Sequence, residues 1–566
     1  MNTLKGTQAI LKCLQEEQVD TIFGYPGGAV IELYDELHDS DITHVLVRHE
    51  QGAVHMADGY ARATGRTGVA LLTSGPGATN GVTAIATAYC DSIPMVILTG
   101  QVPRALIGND AFQEVDIVGI TRPCTKHNYL VNDPDQLIPV LREAFYIASS
   151  GRPGPVLVDL PKDVMAAEIS YPEKRPIKMR TYQPNTTPHP GQVAKACRAC
   201  IASRKPVLYV GGGVILANAS EELTTLARTL HVPVTMTLMG LGSFPGVDPL
   251  SMGMLGMHGS YASNMAVAKS DLLIAVGARF DDRVTGKLDA FAPNAKIIHI
   301  DIDPTSISKN VTVDIPLVAD CKKALQAMNN WLDSSEEFSR EEVIRHHSAW
   351  VEEVKQWDSD HPLSYQDHPE LIKPQYVIEK IDALTGGNAI ITTEVGQNQM
   401  WAAQFFRFNQ PRRLLTSGGL GTMGYGLPAA IGAQIAYPDL PVIDVAGDGS
   451  IQMNIQELAT AIQYGTPIKI AILNNAFLGM VRQWQELFYN RRYAATHMDH
   501  TPDFVALAQA FGAVGLRASK KEEVEPVIRE ALATDNVVIM DFTICKEEGV
   551  FPMVPAGKAT TEMLLV

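Results

Sequence analysis

The stretch that most constrains the fold of this chain is residues 441–475, which have the pattern of a strand, a helix and a second strand. It begins with a short apolar run, typical of a buried strand, that ends in the motif Gly-Asp-Gly-Ser at 447–450. A second apolar run ends in a pair of asparagines at 474–475. Between the runs, apolar residues recur at helical spacing, and Asn454 and Glu457 predict a helix N-cap with a capping box.

If the two strands are parallel neighbours, the crossover brings their carboxyl ends to the same edge of the sheet, roughly 5 Å apart. Asp448 and Asn475 then converge, and they offer a carboxylate and an amide oxygen, which are ligands suited to Mg²⁺. The glycines beside Asp448 would let an anion approach the backbone closely. The alternative is an ordinary dinucleotide-type unit with an incidental aspartate. The 24 residues between the Gly-Asp-Gly and the asparagine pair favour a metal–diphosphate site.

Length and charge narrow the class of protein. At 566 residues the chain is long enough for about three domains, and its net charge of −16 argues against nucleic acid or an anionic membrane as a partner. No apolar run approaches the roughly 20 residues of a spanning helix, and the N-terminus lacks the apolar core of a signal peptide. Seven scattered cysteines fit a reducing compartment, so we expect a cytoplasmic protein. Cys197 and Cys200 have C-x-x-C spacing but no second pair nearby, which argues against a zinc site.

Strand and helix patterns alternate along most of the chain, which predicts parallel sheets with helices on both faces. The five prolines between residues 170 and 190 indicate a linker, and a charged connector precedes residue 374. We predict an α/β fold of three doubly wound parallel-sheet domains, at 1–170, 191–333 and 374–545, with linkers at 171–190 and 334–373 and a C-terminal tail at 546–566. The first and third domains have a similar alternation of strands and helices, which indicates a distant internal duplication.

The middle region has the pattern of a nucleotide-binding domain. Strands are expected at 206–210, 272–276 and 296–300, with glycines after the first two and acids after the third. Glycines for a phosphate and an acid for a ribose hydroxyl are typical of dinucleotide sites. The spacing is not G-x-G-x-x-G, so a structural domain without a nucleotide is the alternative.

Several motifs along the whole chain carry a family resemblance. Those of wide occurrence are FGYPGGA at 23–29, RHEQ at 48–51, TSGPGATN at 73–80 and the GDGS motif with its asparagine pair. The more specific ones are FDDR at 280–283 and MVRQW at 480–484. On these residues the chain resembles the thiamine diphosphate enzymes and, more narrowly, the catalytic subunits of the acetohydroxyacid (acetolactate) synthase family. The three predicted domains would then bind the pyrimidine, FAD and the diphosphate.

The resemblance implies a thiamine diphosphate site. Glu50 would hydrogen-bond N1′ of the aminopyrimidine, Met423 would prop the cofactor bent, and Gln113 and Gly28 would lie near the reacting atoms. Without the resemblance, Glu50, Met423 and Gln113 have the pattern of a solvated charge, a core side chain and a loop amide. Contacts to thiamine diphosphate are implied for Glu50, Pro76, Asn80, Gly421, Met423, Gly447, Asp448, Gly449, Ser450 and Asn475, and ligands to Mg²⁺ for Asp448, Asn475 and Phe477.

The resemblance also implies an FAD site and a substrate site. For the second substrate, Arg283 would clamp a carboxylate and Trp484 would contact the alkyl group. The alternatives are an ion pair of Arg283 with Asp281 or Asp282, and core packing of the helical stripe that includes Trp484. Contacts to FAD are implied for Arg152, Gly211, Gly212, Gly213, Met257, His258, Gly277, Arg279, Asp301 and Asp303, and contacts to substrate for Arg283, Trp484, Met480, Phe112 and Lys162.

The activity that the resemblance implies is decarboxylation of pyruvate and transfer of its two-carbon unit to a second 2-keto acid, either pyruvate or 2-ketobutyrate. The family assembles as a homodimer or homotetramer with a small regulatory subunit, and its FAD has no redox step to perform. Two alternatives stay open from the sequence. One is a pyruvate oxidase or decarboxylase with the same cofactor, and the other is a catalytically silent regulatory subunit, against which the intact Glu50, Asp448 and Asn475 count.

Overall fold

Three six-stranded sheets, all with parallel strands, form the framework of the computed structural model, which describes residues 3–565. Each sheet is flanked by helices, so the predicted α/β class with three doubly wound parallel sheets is confirmed. We call the three sheets with their helices the N-terminal, middle and C-terminal units. Within residues 3–565, no helix combines the length and the apolar character needed to cross a membrane.

The N-terminal unit contains strands β1–β8 and helices α1–α8. The strands are β1 Thr3–Lys5, β2 Thr21–Gly24, β3 Thr43–Leu46, β4 Gly68–Leu72, β5 Met95–Gln101, β6 His127–Leu130, β7 Pro155–Pro161 and β8 Glu168–Ser170. The helices are α1 Gly6–Glu16, α2 Ile31–His38, α3 Glu50–Thr64, α4 Pro76–Asn80, α5 Val82–Asp91, α6 Ile117–Thr121, α7 Leu137–Ser149 and α8 Lys162–Ala166. The sheet order is β3-β2-β4-β5-β7-β6, and β1 pairs with β8 in a separate antiparallel ribbon.

The middle unit contains β9–β14 and α9–α15. The strands are β9 Pro206–Val210, β10 Val234–Met236, β11 Ser251–Met254, β12 Leu272–Val276, β13 Lys296–Asp301 and β14 Ile315–Val318. The helices are α9 Pro190–Ala202, α10 Gly213–Leu216, α11 Ser220–Leu230, α12 Tyr261–Lys269, α13 Asp282–Thr285, α14 Cys321–Ser334 and α15 Arg340–Asp360. The order β11-β10-β9-β12-β13-β14 is the strand order of dinucleotide-binding folds, in which the ligand lies where the order reverses, here between β9 and β12.

The C-terminal unit contains β15–β20 and α16–α22. The strands are β15 Ile390–Thr393, β16 Leu414–Leu415, β17 Val442–Gly447, β18 Lys469–Asn474, β19 Val514–Ala518 and β20 Val538–Thr543. The helices are α16 Pro374–Thr385, α17 Gln397–Phe405, α18 Gly426–Ala436, α19 Leu458–Gln463, α20 Gly479–Phe488, α21 Phe504–Phe511 and α22 Lys521–Ala533. The order β16-β15-β17-β18-β20-β19 has the same connectivity as the N-terminal sheet, which agrees with the predicted duplication.

The two outer units pack directly on each other through α3 and α18, which occupy equivalent places in the two sheets. Glycines let the helix backbones touch. A Cβ at Gly59 of α3 would lie 2.4 Å from the carbonyl oxygen of Ala429, and a Cβ at Gly432 of α18 would lie 2.0 Å from that of Met56. Any larger residue at either glycine would therefore separate the two units.

The tail after β20 crosses back over the middle unit. The amide of Val554 donates to the carbonyl of Met257 at 2.8 Å, and the Gln404 side chain of α17 donates to the carbonyl of Phe551 at 3.2 Å. Because these contacts join the middle and C-terminal units, the tail helps to hold the two units around the space between them.

Candidate active site

The GDGS motif begins at the last residue of β17, and the asparagine pair begins at the last residue of β18, which is the parallel neighbour of β17. The predicted convergence of Asp448 and Asn475 is therefore observed. Asp448 is buried, and its Oδ2 atom has no hydrogen-bond partner among the described residues. Burial raises the pKa of this carboxyl to about 7, although backbone hydrogen bonds from Asn475 and Ala476 oppose the shift.

The residues here fit a magnesium ion. The unpartnered oxygen of Asp448 leaves one hard anionic ligand free, and a bound cation would favour its ionised form. The Asn475 side chain is held in place, because its Oδ1 accepts the amide of Phe477 at 3.0 Å and its Nδ2 donates to Gln397 at 3.3 Å. Residues 3–565 hold no cluster of three or more His, Cys, Asp or Glu side chains suited to a metal. A cation at this site would therefore depend on amide and backbone carbonyl oxygens beside Asp448.

The predicted capping box after the GDGS motif is wrong. Helix α19 begins only at Leu458, after two 3₁₀ turns, and Asn454 makes no capping hydrogen bond. The Asn454 side chain instead donates to the carbonyl of Gly424 at 2.7 Å, and the Glu457 carboxylate accepts the amide of Arg48 at 3.1 Å. Both side chains are recruited by segments distant in sequence, so they join the diphosphate loop to its neighbours.

Glu394 is a buried residue of this region that the sequence analysis missed. Its carboxylate accepts the Ser450 hydroxyl and the Gly424 amide, both at 2.6 Å, and so links the GDGS loop to the loop that carries Met423. Burial raises the pKa of Glu394. The available signal was an acid directly after a strand, at the same edge of the sheet as Asp448.

The pyrimidine-side residues lie together at the carboxyl ends of the N-terminal strands. Glu50 is the first residue of α3, and its carboxylate accepts the Asn80 side chain at 2.9 Å. Pro76 begins α4, and Gln113 packs so closely on the preceding Gly75 that a Cβ there would lie 2.7 Å from the Gln113 carbonyl oxygen. A Cβ added at Gly28 would meet nothing, so the structure gives no steric reason for that glycine.

A large cavity of about 1010 Å³ lies between the middle and C-terminal units and reaches the N-terminal unit. Its lining brings together fourteen of the predicted site residues: Arg152, Gly211, Gly212, Gly213, Met257, His258, Gly277, Arg279, Asp301, Arg283, Trp484, Met480, Gly421 and Met423. Its volume lies at the upper end of the range of cofactor sites. The cavity therefore joins the predicted flavin and substrate residues to the loop that is expected to contact thiamine.

Other predicted residues lie outside that lining within residues 3–565. They are Glu50, Gly28, Gln113, Pro76, Asn80, Phe112, Lys162, Asp303, Gly447, Asp448, Gly449, Ser450, Asn475 and Phe477. Phe112 is 89% exposed, and Lys162 begins α8 of the N-terminal unit. Asp303 instead forms an ion pair with Arg152 at 3.3 Å. Within a single chain, therefore, neither the pyrimidine-side residues nor the diphosphate-side residues line this cavity.

The flavin end of the cavity lies where the strand order of the middle sheet reverses. The loops after β9 and β12 touch there, since a Cβ at Gly211 would lie 2.2 Å from the carbonyl oxygen of Gly277. Arg152 and Arg279 supply positive charge for a diphosphate, and Asp301 could accept a ribose hydroxyl. These residues fit a flavin dinucleotide.

The substrate end of the cavity is formed by Arg283 and α20. The Arg283 guanidinium lies 5.9 Å from the centre of the Trp484 indole, and its nearest carboxylate oxygen, on Asp282, is 3.9 Å away. That separation is too long for a hydrogen bond, so the surface ion pair is weak. Trp484 lines the cavity and Phe488 of the same stripe is 44% exposed, so the stripe is not simple core packing.

His258 forms part of the wall beside Met257. Its ring is buried and faces the carbonyl of Pro552 at 3.3 Å. Burial lowers the pKa of this imidazole to about 4, so the side chain is neutral near pH 7. His258 therefore contributes contact surface without adding charge to the cavity.

Comparisons with known proteins agree with this geometry along the whole chain. Family models of the thiamine pyrophosphate enzymes match at residues 4–120 (N-terminal TPP binding domain), 193–328 (central domain) and 394–542 (C-terminal TPP binding domain). The chain is 50% identical to the acetolactate synthase isozyme 3 large subunit of Escherichia coli K12, over 100% of this chain and 99% of that protein. It is 49% identical to the acetolactate synthase large subunit of Haemophilus influenzae, with the same coverage. It is also 49% identical to a probable acetolactate synthase large subunit of Methanocaldococcus jannaschii, over 99% and 95% of the two chains.

Proposed function

Because the chain belongs to the thiamine pyrophosphate enzymes and, within them, to the acetolactate synthase large subunits, we propose that it decarboxylates pyruvate and joins the two-carbon unit to a second 2-keto acid. The product is 2-acetolactate, or 2-aceto-2-hydroxybutyrate when 2-ketobutyrate is the acceptor, and both lead to branched-chain amino acids. The observation that carries this proposal is the shared cavity, in which Arg283 and Trp484 lie with Met423.

Thiamine diphosphate, when bound, supplies the carbon nucleophile and the electron sink for decarboxylation of a 2-keto acid. Glu50 would hold a proton at N1′ of the aminopyrimidine, and its contact with Asn80 orients the carboxylate for that task. Asp448, Asn475 and the carbonyl of Phe477 would hold Mg²⁺ and, through it, the diphosphate. Gly447, Gly449 and Ser450 would surround that anion with backbone and hydroxyl donors.

The acceptor would bind at the substrate end of the cavity. The Arg283 side chain has no carboxylate partner within 3.5 Å among the described residues, so its guanidinium is free to donate to the carboxylate of a 2-keto acid. Trp484 and Met480 would then contact the alkyl group of that acid. A simple decarboxylase or pyruvate oxidase has no use for such an acceptor site, which favours carboligation.

A homodimer or homotetramer would complete the active site. Glu50, Gln113 and Gly28 lie outside the cavity of their own chain, so we infer that a second copy brings its pyrimidine-side residues, with Phe112 and Lys162, to this cavity. The relatives are named as large subunits, which supports a small regulatory partner. A cytoplasmic location stays a prediction.

The middle unit would hold FAD. The strand order, the volume of the cavity and Arg152, Arg279 and Asp301 in its lining support this assignment. Since acetolactate synthesis has no net redox step, the flavin would serve the structure of the cavity. We propose residues 1–170, 191–333 and 374–545 as the pyrimidine-, flavin- and diphosphate-binding domains, with α15 of the 334–373 segment packed on the flavin-binding domain.

The test is to incubate the purified chain with pyruvate, thiamine diphosphate, Mg²⁺ and FAD, with and without 2-ketobutyrate, and to identify the products by NMR. We expect 2-acetolactate, and a second product when 2-ketobutyrate is present. Acetate or acetaldehyde as the main product would instead identify an oxidase or a decarboxylase. Absence of turnover, with or without added small subunit, would contradict an enzymatic role.

A further inference from the structure

The loop at residues 416–424 connects β16 to α18 and carries two cavity residues, Gly421 and Met423. Glycine occupies four of its nine positions, and Gly421 has a φ of 73°. Such a backbone has many accessible conformations, so the position of Met423 must be set by contacts from outside the loop.

Glu394 and Asn454 of the C-terminal unit hold Gly424 at the end of the loop, and the N-terminal unit supplies further contacts from α3 and α5. The Arg62 guanidinium donates to the carbonyl of Thr416 at 2.9 Å. The Asp91 carboxylate accepts the amides of Gly419 at 2.7 Å and Gly418 at 3.2 Å. At the far end of the loop, the hydroxyl groups of Thr87 and Thr422 lie 2.7 Å apart, within hydrogen-bond distance.

These contacts are shielded from water. The side chains of Arg62 and Asp91 are only 6% and 1% exposed, and they form an ion pair at 2.9 Å. Asp58 completes the cluster, since it pairs with Arg62 and accepts the hydroxyl of Tyr425 at 2.7 Å. Loss of Arg62 would leave two buried carboxylates without the cation that they share, which makes this arrangement difficult to deform.

The loop also has little room to move away from Asp91. A Cβ at Gly419 would lie 2.7 Å from the Asp91 Oδ1 atom and 3.0 Å from the Cβ of Cys90. The backbone of the loop therefore rests directly on the end of α5. This close contact and the hydrogen bonds to Asp91 act on the Gly418–Gly419 pair, which is separated from Gly421 by one residue.

We propose that Asp91, assisted by Thr87 and Arg62, positions the 416–424 loop and thereby sets where Met423 projects into the cavity. Asp91 is a positioning residue, because it acts through the loop. The significance for catalysis rests on the proposed function, in which Met423 supports bound thiamine diphosphate. The N-terminal unit would then contribute to the active site in two ways. It supplies Glu50, and through Asp91, Thr87 and Arg62 it holds the 416–424 loop; we call these three residues the brace.

The direct test is amide hydrogen exchange of the cofactor-free protein, read on the peptide that covers residues 416–424. In Asp91→Asn, one acceptor oxygen becomes a donor and the ion pair with Arg62 is lost. We expect exchange of this peptide to accelerate about tenfold or more, since a hydrogen bond to a charged group contributes at least that factor. The Kd for thiamine diphosphate, measured by fluorescence titration, should rise by about the same factor.

Tyr464→Phe is the matched control. The Tyr464 hydroxyl joins the same two units far from the loop, because it accepts the amide of Leu46 at 2.7 Å and donates to the carbonyl of His44 at 3.2 Å. This variant should lower the melting temperature and leave exchange of the loop unchanged. Equal acceleration of the loop in both variants would show a general weakening of the interface and overturn the proposal.

Thr87→Val provides a second, isosteric variant in case Asp91→Asn fails to fold. It removes one hydroxyl contact, so a two- to fivefold acceleration confined to the same peptide is expected. Unchanged exchange of the loop in a folded Asp91→Asn, or in Thr87→Val alone if that is the variant that folds, would refute the brace. Neither readout needs turnover, so failure of the wild-type chain to make acetolactate would refute the proposed function separately.

Discussion

Replacement of Trp484 with leucine tests whether the α20 side of the cavity selects the acceptor. Trp484 lines the cavity beside Met480, and its indole lies 5.9 Å from the Arg283 guanidinium. Its Nε1 atom has no hydrogen-bond partner among the described residues. The carbon atoms of the indole would offer apolar contact to the alkyl group of an acceptor placed on Arg283, and leucine removes part of that contact.

The magnitude follows from the difference between the two acceptors. 2-Ketobutyrate has one methylene more than pyruvate, and burial of a methylene contributes about 0.8 kcal/mol by transfer. Pockets that discriminate by one methylene reach roughly 1–3 kcal/mol, because packing adds to transfer. We expect Trp484→Leu to reduce the preference for 2-ketobutyrate about tenfold, which corresponds to about 1.4 kcal/mol.

The assay is a competition in which both acceptors are present and the two products are measured by mass spectrometry. Decarboxylation of pyruvate alone should change much less, since it precedes binding of the acceptor. Phe488→Leu is the control, because Phe488 belongs to the same helical stripe, is 44% exposed and does not line the cavity. This variant should keep the wild-type product ratio.

The competing explanation is that Trp484 only stabilises the fold. Loss of this large, partly buried aromatic side chain would then lower stability and would lower both products together. A melting curve recorded with the competition assay separates the two cases. A constant product ratio with a reduced melting temperature would refute the role of Trp484 in selection.

Three further predictions concern carboxyl groups. Glu50→Gln should keep thiamine diphosphate binding and slow turnover on the order of 10²–10⁴-fold, and near-normal kcat would remove Glu50 from the mechanism. Asp448→Ala should raise the Mg²⁺ and thiamine diphosphate concentrations needed for half-maximal activity, with partial recovery at excess, and an unchanged requirement would contradict the metal site. Burial raises the pKa of Asp159 from 3.8 to about 7, so the folded protein holds this proton more tightly than the unfolded chain does. The free energy of unfolding therefore falls as pH rises from about 4 to 7. Asp159→Asn should therefore gain stability relative to the wild type over that range, by up to about 4 kcal/mol, and a pH-independent difference in melting temperature would contradict this.

The sequence predicted the strands well where they are buried on both faces. The predicted strands at 206–210 and 272–276 agree with β9 and β12, because an uninterrupted apolar run bounded by glycine has few other interpretations. The convergence of Asp448 and Asn475 could also be predicted, since it follows from parallel pairing.

Hydrogen bonds from side chains to segments distant in the chain could not be predicted from the sequence. Asn454 and Glu457 have a valid local pattern, but tertiary partners recruit both, and no local signal reports such competition. Glu394 and Asp91 carry charge, so sequence alone favours exposure, and their burial depends on partners supplied by other elements. The positions of these side chains are set by contacts between segments that are far apart in the chain, and the sequence does not reveal which segments meet.

The direct contact of α3 with α18 has a consequence for synthesis of the chain. About 360 residues separate the two helices, so the ribosome, at 5–20 residues per second, needs roughly 20 to 70 s to deliver the second helix after the first. During that time the face of α3 around Gly59 is not covered by α18, while the middle unit can already fold. The nascent N-terminal unit therefore exposes this apolar face until α18 has been synthesised. Until then, a chaperone or another unfolded chain can bind the same face.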